Sequence, residues 1–153
     1  MILEDISQVP KMQRIIGLDL GEKTIGVAVS DKLQTIASPV VIIKRKKFTA
    51  DAEQVFKYID INEACAVVIG LPINMDGTEG PRCQSVRQFG RNMLKIRDIP
   101  IFFQDERMSS QAVGRTMDLA AMGHTRQKEL VDKLAASYIL QGALERTNKT
   151  NKF

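Results

Sequence analysis

The hydrophobic positions in the first third of the chain predict β-strands. Apolar residues fill most of the run from 14 to 20, and Val and Ile dominate the two runs that follow. A short turn that begins with Gly21 separates the first two runs, which is typical of a β-hairpin. The pattern therefore predicts three successive antiparallel strands, at Arg14–Leu20, Thr24–Ser30 and Ile36–Ile43.

The spacing of the apolar positions changes after this region. Apolar residues now recur every three or four positions, which predicts helices, and two short continuous apolar runs between them predict buried strands. Ser109 is a suitable N-cap for a third helix, and Gly123 a suitable end. The predicted elements are helix, strand, helix, strand, helix and helix, over Phe48–Ile59, Ala66–Gly70, Arg82–Ile96, Ile99–Phe103, Ser109–Gly123 and Arg126–Leu144.

This order, three strands followed by alternating helices and strands, predicts an α/β fold with a mixed sheet and helices on both faces. The 153 residues suffice for one domain with a substantial core and are too few for two. We expect a single domain over 14–146. Residues 1–13 are expected to form an N-terminal extension, and the polar residues 147–153 a flexible tail.

Composition and charge narrow the classes of protein only a little. The net charge of +4 and the pI of about 9.2 allow nucleic acid as a partner without requiring it. The two cysteines lie far apart and there is a single histidine, so the sequence favours neither a disulfide framework nor a zinc site. The N-terminal residues lack the basic start and the apolar block of a signal peptide, and no apolar stretch has membrane-spanning length, so we expect a cytoplasmic protein without membrane contact.

Three acidic residues lie in positions that call for an explanation. Asp19 interrupts an apolar strand, Glu106 follows the last strand, and Asp132 extends an apolar stripe of the last helix, which continues through Ala136, Ile139 and Ala143. A buried carboxylate is normally paired or binds a cation. A cluster of carboxylates without histidine or thiolate suits Mg²⁺ or Mn²⁺, and two such ions support phosphodiester cleavage.

Each acid also has an ordinary structural interpretation. Asp19 is able to form an Asx-type turn before the glycine, Glu106 to pair with a neighbouring arginine, and Asp132 to interact favourably with a helix dipole. Periodicity does not show whether the three residues meet. The residues by themselves therefore leave a metal site and three separate structural roles open.

Four segments in order resemble the YqgF (RuvX) family of Holliday junction resolvase-like and pre-ribosomal-RNA nucleases. The resemblance covers about residues 14–145 and is carried by GLDLGEKTIGVAVSD, VIGLPINMDGTEGPRCQSVRQF, DERMSSQAV and HTRQKELVDKLAASYILQGAL. It implies a ribonuclease H-like fold, with a five-stranded mixed sheet of order 3-2-1-4-5 in which the first strand is central. It also implies an endonuclease that processes the 5′ end of the 16S ribosomal RNA precursor.

The resemblance also implies which residues form the site. Asp19, Glu106 and Asp132 correspond to the catalytic, metal-binding acids, with Mg²⁺ or Mn²⁺, expected as two ions, as cofactor. Asp105 belongs to the same DER motif, so the choice of Glu106 over Asp105 is a hypothesis. Where the family most often has Lys-Arg after its first motif, this chain has Lys23 followed by Thr24. One basic contact that the resemblance implies near the hairpin is therefore missing, and Lys23 is the substrate contact expected to remain at that turn.

Other polar residues are candidates for binding phosphate groups. The Gly-rich loop 70–82 lies between a strand and a helix, so its amides, with Asn74 and Arg82, suit a backbone phosphate. Arg107 and Arg126 flank the acidic motifs and are further candidates. The run Lys44–Lys47 suits a nucleic-acid backbone too, but such runs are more often solvated turns, and we interpret it so.

Two rival functions remain at this point. The motif GLDLG also resembles the phosphate loop of actin-like kinases and ATPases, which need two such domains, whereas this chain has room for one. A non-catalytic nucleic-acid-binding module of the same fold is the second rival. The sequence leaves open whether the substrate is ribosomal RNA precursor or a DNA junction. It also leaves the oligomeric state open, a weak homodimer included.

Overall fold

The protein is described here from a computed structural model, which defines residues 1–108 and 124–150, with side chains from 1 to 107 and from 133 to 147. The strands are β1 (Ile15–Leu20), β2 (Thr24–Ser30), β3 (Ala37–Lys44), β4 (Ala66–Leu71) and β5 (Ile101–Asp105). The helices are α1 (Phe48–Ile61), α2 (Pro81–Ile96) and α3 (His124–Thr150), with single 3-10 turns at Ile6–Gln8 and Glu106–Met108. The predicted helix Ser109–Gly123 lies outside the described residues.

The strands form one five-stranded sheet in the order β3-β2-β1-β4-β5. β1 pairs antiparallel with β2, and β2 antiparallel with β3, whereas β1 and β5 both run parallel to β4. This confirms the predicted fold, a mixed sheet with β1 in its centre. Because β1, β4 and β5 are parallel, their carboxyl ends lie at the same edge of the sheet, which is where ligands bind in open α/β sheets.

Each face of the sheet covers its own hydrophobic core because side chains alternate along a strand. From β1, Ile16 and Leu18 enter the core under α1 and α2, while Ile15 enters the core under α3. The backbone of Gly17 lies directly under α3, since a Cβ built there would be 2.7 Å from the Cβ of Leu140. Helices therefore cover both faces of the sheet, and the alternation assigns Asp19 to the α3 face.

The N-terminal residues form part of this packing. Ile2 makes a parallel bridge to Ile101, and the Leu3 amide donates to the Ile101 carbonyl at 2.7 Å. Leu3, Ile6 and Val9 are buried in the core under α3. The segment expected to be an extension thus covers the outer edge of β5 and adds apolar area to the core.

The last helix is longer than its apolar pattern predicted. It begins at His124 and continues to Thr150, past the boundary at residue 147 where we expected a flexible tail. Thr147 is buried, and its hydroxyl donates to the Ala143 carbonyl at 3.2 Å. Among the described residues, no helix has both the length and the apolar character needed to cross a membrane.

Candidate active site at the carboxyl ends of the parallel strands

Asp19 lies near the carboxyl end of the central strand. It is half-buried, pairs with Gly26 of β2, and follows Gly17 by two residues, so both belong to the face that α3 covers. The next residue, Leu20, is buried in the opposite core. The apolar pattern of β1 is thus interrupted at the point where the strand reaches the edge of the sheet. A carboxylate at such a point is partly dehydrated but still reachable by ligands.

Glu106 comes to the same place from β5. It begins the 3-10 turn that follows this strand, and its side chain lies across Gly70 of β4. A Cβ built on Gly70 would be 2.7 Å from Oε1 of Glu106 and 2.6 Å from Cδ1 of Ile139. Leu18 of β1 pairs with Ile69 of β4. Because these two strands are parallel, the next residues along them, Asp19 and Gly70, are level with each other. The bare backbone at Gly70 is therefore what lets the Glu106 side chain reach toward β1.

The electrostatics show that the two acids share one environment. The pKa of Glu106 is raised from an ordinary 4.5 to about 7. Burial is the largest cause of this increase, and the negative charge of Asp19 is the next. Asp105 also raises the pKa of Glu106, while Arg82 lowers it. A second negative charge is thus unfavourable here, and a cation placed between the carboxylates would remove the penalty.

The third predicted acid is only partly defined. Asp132 belongs to α3, and it precedes the buried Ala136 by about one helical turn. The backbone carbonyl of Ala136 would be 3.2 Å from a Cβ on Gly17, so the helix approaches β1 closely just after Asp132. The side chain of Asp132 lies outside the described residues. Among the side chains that are described, no group of three acidic, histidine or cysteine residues forms a metal site.

Asp105 is engaged elsewhere. Its carboxylate accepts hydrogen bonds from the Arg107 amide at 2.9 Å and from the Arg107 guanidinium at 2.7 to 3.1 Å. Burial raises the pKa of Asp105, but these hydrogen bonds outweigh it, and the pKa is lower than usual. Arg107 also donates to the Met75 carbonyl at 3.4 Å, so it connects the DER motif to the Gly-rich loop.

The predicted phosphate-binding residues occupy different parts of this edge. Arg82 is an exposed residue of the first turn of α2, and its charge acts on Glu106. Asn74 is exposed in the loop, where its amide donates to the Thr78 hydroxyl at 3.0 Å. Lys23 is exposed in the hairpin turn between β1 and β2. Arg126 belongs to α3, and its side chain lies outside the described residues.

The residue-by-residue interpretation missed two features of the site. One is the role of Gly70, for which a glycine inside a buried strand was the available signal. The other is Arg45, which we assigned to a solvated turn together with its lysine neighbours. It is only about a quarter exposed and lines a cleft with Gly21 and Arg82. No periodicity distinguishes Arg45 from the three lysines beside it.

Comparison with solved structures identifies the fold. T. thermophilus RuvC in complex with a Holliday junction substrate superposes with a TM-score of 0.56 at 14% identity, covering 91% of this chain and 96% of that chain. The yeast mitochondrial Holliday junction resolvase Ydc2 gives a TM-score of 0.54 at 10% identity, covering 97% of this chain and 85% of that chain. The fold is thus ribonuclease H-like, of the type found in RuvC-like resolvases.

Sequence comparison identifies the family. Residues 13–146 match the family described as "RuvX: Holliday junction resolvase", to which this chain belongs. A relative from Caulobacter vibrioides, named "Putative pre-16S rRNA nuclease", is 55% identical to this chain over 147 residues, and the match covers 94% of each of the two chains. A relative of the same name in Phenylobacterium zucineum is 55% identical over 139 residues, covering 90% of this chain and 89% of the relative. The chain is therefore a member of a nuclease family.

Proposed function

We propose that the protein is a metal-dependent endonuclease that processes the 5′ end of the 16S ribosomal RNA precursor. The observation that carries the proposal is the meeting of Asp19 and Glu106 at the carboxyl ends of β1 and β5, in a chain of this family. Carboxylates that hold divalent metal ions are one established means of activating water for phosphodiester cleavage. A substrate of this kind implies a cytoplasmic location.

The acids fit a divalent cation. Asp19 and Glu106 offer oxygen ligands only, and their mutual repulsion is of the kind that a cation relieves. Asp132 lies about one turn before Ala136, whose carbonyl is close to Gly17 of β1, and we assign it as the third ligand. When bound, Mg²⁺ or Mn²⁺, which we expect as two ions, activates water and stabilises the leaving oxygen. Asp105 is excluded from this set because it is bound by Arg107.

The remaining polar residues position the substrate in this proposal. Arg82 is best placed to hold a phosphate next to the acids, because its charge already acts on Glu106. Asn74 and Arg107 lie along the Gly-rich loop, and in this proposal they contact the nucleic-acid strand at a point further from the acids. Lys23 and Arg126 extend the basic surface on the hairpin and on α3 respectively. A guanidinium binds phosphate through paired hydrogen bonds, so the arginines contribute orientation as well as charge.

A Holliday junction is the second candidate substrate. The family description and the fold shared with RuvC favour it. The names of the relatives favour precursor RNA, and the relatives are more than half identical to this chain. We therefore propose precursor RNA as the primary substrate. Resolvase activity on a symmetric junction would require two copies of the site, and a weak homodimer belongs to this second candidate only.

The experiment is a cleavage assay with both substrates. The parent protein is incubated with precursor 16S RNA and with a four-way DNA junction, in Mg²⁺, in Mn²⁺ and in EDTA. Asp19→Asn and Asp132→Asn are each expected to reduce cleavage by more than about 100-fold, since even outer-shell changes at metal sites cost up to that factor. Binding of the substrate is expected to persist in both variants.

Asp60→Asn is the matched control. It also removes one negative charge, but Asp60 pairs with Arg97 on the exposed surface of α1. Its cleavage rate is expected to match the parent rate. Cleavage by Asp19→Asn at the parent rate, or cleavage that persists in EDTA, would contradict the proposal. Cleavage of the DNA junction but not of the RNA would indicate that a Holliday junction is the primary substrate.

A further inference from the structure

A cleft lies beside the proposed active site, between the β1–β2 turn and the start of α2. It has a volume of about 270 Å³, and its walls include Gly21, Glu22, Arg45, Arg82 and Ser85. Two arginines and one glutamate therefore line this space, and the formal charge of its lining residues is positive. Arg82 joins the cleft to the acids, because its charge acts on Glu106.

The Arg45 side chain is held in the wall of this cleft by three contacts. Its Nη1 donates to the Gly21 carbonyl at 2.7 Å, and its guanidinium lies 5.8 Å from the centre of the Phe89 ring. Its Nε lies 3.7 Å from Oδ2 of Asp51. A guanidinium fixed in this way loses little conformational freedom when it binds a ligand.

Asp51 explains how the arginine is fixed. The Asp51 side chain is 2% exposed, and its Oδ1 accepts the Lys46 amide at 2.8 Å. Its Oδ2 is buried without a hydrogen bond among the described residues, so the nearby Arg45 charge is what compensates it. The pair leaves most of the arginine donors unused. A guanidinium has five N–H donors, and only the one directed at Gly21 forms a hydrogen bond within the described part of the chain.

We infer that Arg45 is a substrate-positioning residue that, with Arg82, binds a phosphodiester group of the nucleic acid next to the one that is cleaved. The inference rests on the proposed function for its substrate class. The cleft lies at the carboxyl end of β1, where Leu20 and Gly21 line it, and Arg82 in its wall acts on Glu106, so a nucleic-acid strand bound there would continue toward the acids. Lys44, Lys46 and Lys47 are exposed and do not line the cleft, which separates Arg45 from its neighbours in the same basic run.

The test measures binding rather than cleavage. Fluorescein-labelled precursor 16S RNA is titrated with protein in EDTA at several NaCl concentrations, and anisotropy gives Kd. The same titration is repeated with a four-way DNA junction. Arg45→Gln is expected to weaken binding about 5-fold and to reduce the slope of log Kd against log salt by about 0.7 to 0.9, the value for one lost phosphate contact. In the cleavage assay KM should rise while kcat stays near the parent value.

Lys46→Gln is the matched control, because it removes the same charge from the adjacent exposed position. It is expected to change the slope much less than Arg45→Gln. Arg45→Lys should keep the parental slope but bind more weakly, since an ammonium lacks the planar fork. The melting temperature of each variant is measured in parallel, because loss of the contacts to Asp51 and Gly21 destabilises the fold whether or not Arg45 binds phosphate.

The outcomes separate this inference from the proposed function. A reduced slope in Arg45→Gln but not in Lys46→Gln supports the phosphate contact, even if the parent protein cleaves neither substrate. Equal slopes in the two variants overturn it, even if the parent protein cleaves RNA. A lower melting temperature with an unchanged slope also overturns it, because Arg45 would then serve only to compensate Asp51.

Discussion

The carboxylate of Glu106 lies across the bare backbone of Gly70, with Oε1 only 2.7 Å from where a Cβ would be. This contact joins the end of β5 to β4. It brings Glu106 level with Asp19 of β1, which lies two positions from β5 in the sheet. The site depends on a missing side chain as much as on the acidic groups themselves. The first prediction concerns this contact.

Gly70→Ala is expected to displace the Glu106 side chain. The new methyl group would overlap both Oε1 of Glu106 and Cδ1 of Ile139, so both side chains must move. Overpacking of this kind costs about 1–3 kcal/mol of stability. A shift of about 1 Å in a catalytic group costs up to about 100-fold in rate, and we expect a loss of that order. Urea unfolding and the RNA cleavage assay measure the two effects.

Gly90→Ala is the control for Gly70→Ala. A Cβ at Gly90 would be 2.8 Å from Cζ of Phe103, so it also overpacks a buried site, but it has no contact with Glu106. It should lose stability while keeping its cleavage rate under conditions where it is folded. Equal rates for Gly70→Ala and the parent would show that the position of Glu106 does not matter.

The second prediction separates the two acids of the DER motif. Glu106→Gln is expected to reduce cleavage by more than about 100-fold, because it removes a proposed metal ligand. Asp105→Asn should reduce cleavage by less than about 10-fold, since that carboxylate is already bound by Arg107 and acts on the site only through the loop. Each variant serves as the control for the other. A larger loss in Asp105→Asn would reverse the assignment of the ligand.

The third prediction concerns the dependence of stability on pH in metal-free protein. The pKa of Glu106 is about 7 in the folded state, above its ordinary value of 4.5, so the folded state disfavours the charged form. The penalty is absent below about pH 4.5 and grows as the pH rises to about 7. Relative to the parent, Glu106→Gln should therefore gain stability between pH 5 and 8 in EDTA, as measured by urea unfolding.

Asp105→Asn should behave in the opposite way in the same experiment. The pKa of Asp105 is below its ordinary value of 3.8, because hydrogen bonds from Arg107 outweigh the effect of burial. The ionised form thus adds stability above that ordinary value, and this contribution is lost as the pH falls. At pH 8 this variant should be less stable than the parent. Changes of the same sign in both variants would contradict the electrostatic description of the site.

The fourth prediction tests whether the N-terminal residues belong to the domain. Ile6 is 1% exposed in the core under α3, so Ile6→Ala is expected to cost about 2–4 kcal/mol. Ile2 is 40% exposed, and Ile2→Ala should cost less than about 1 kcal/mol. Urea unfolding of both variants gives the comparison. Equal and small losses would show that the segment is an extension that does not stabilise the domain.

The pattern of apolar positions predicted most of the fold correctly. The eight predicted elements that fall in the described residues are present, and β1 and α1 begin within one residue of the expected positions. The predicted boundaries differ from the structure where the apolar pattern ends but the helix continues to pack against the protein. Polar residues continue α3 to Thr150, and Thr147 in this stretch is buried, so the helix still packs against the rest of the protein where its apolar pattern has ended.

The sequence by itself determined that Asp19, Glu106 and Asp132 are unusual acids, because a charge in or beside an apolar run is visible without a structure. It also determined, through the four resembling segments, the family and the strand order. Only the tertiary structure decided which acids meet. The distance between Asp19 and Glu106 depends on the parallel register of β1 and β4 and on the space above Gly70, and neither can be read from residue spacing.

The same reason accounts for Arg45 and Asp105. In the sequence, each stands beside residues of the same charge and has the same periodicity. In the structure, a buried carboxylate and a turn carbonyl fix Arg45 in a cleft, and Asp105 is paired with an arginine two positions later. The sequence determines the kind of charge present, but the pairing formed in the folded chain determines which charges remain available to a substrate.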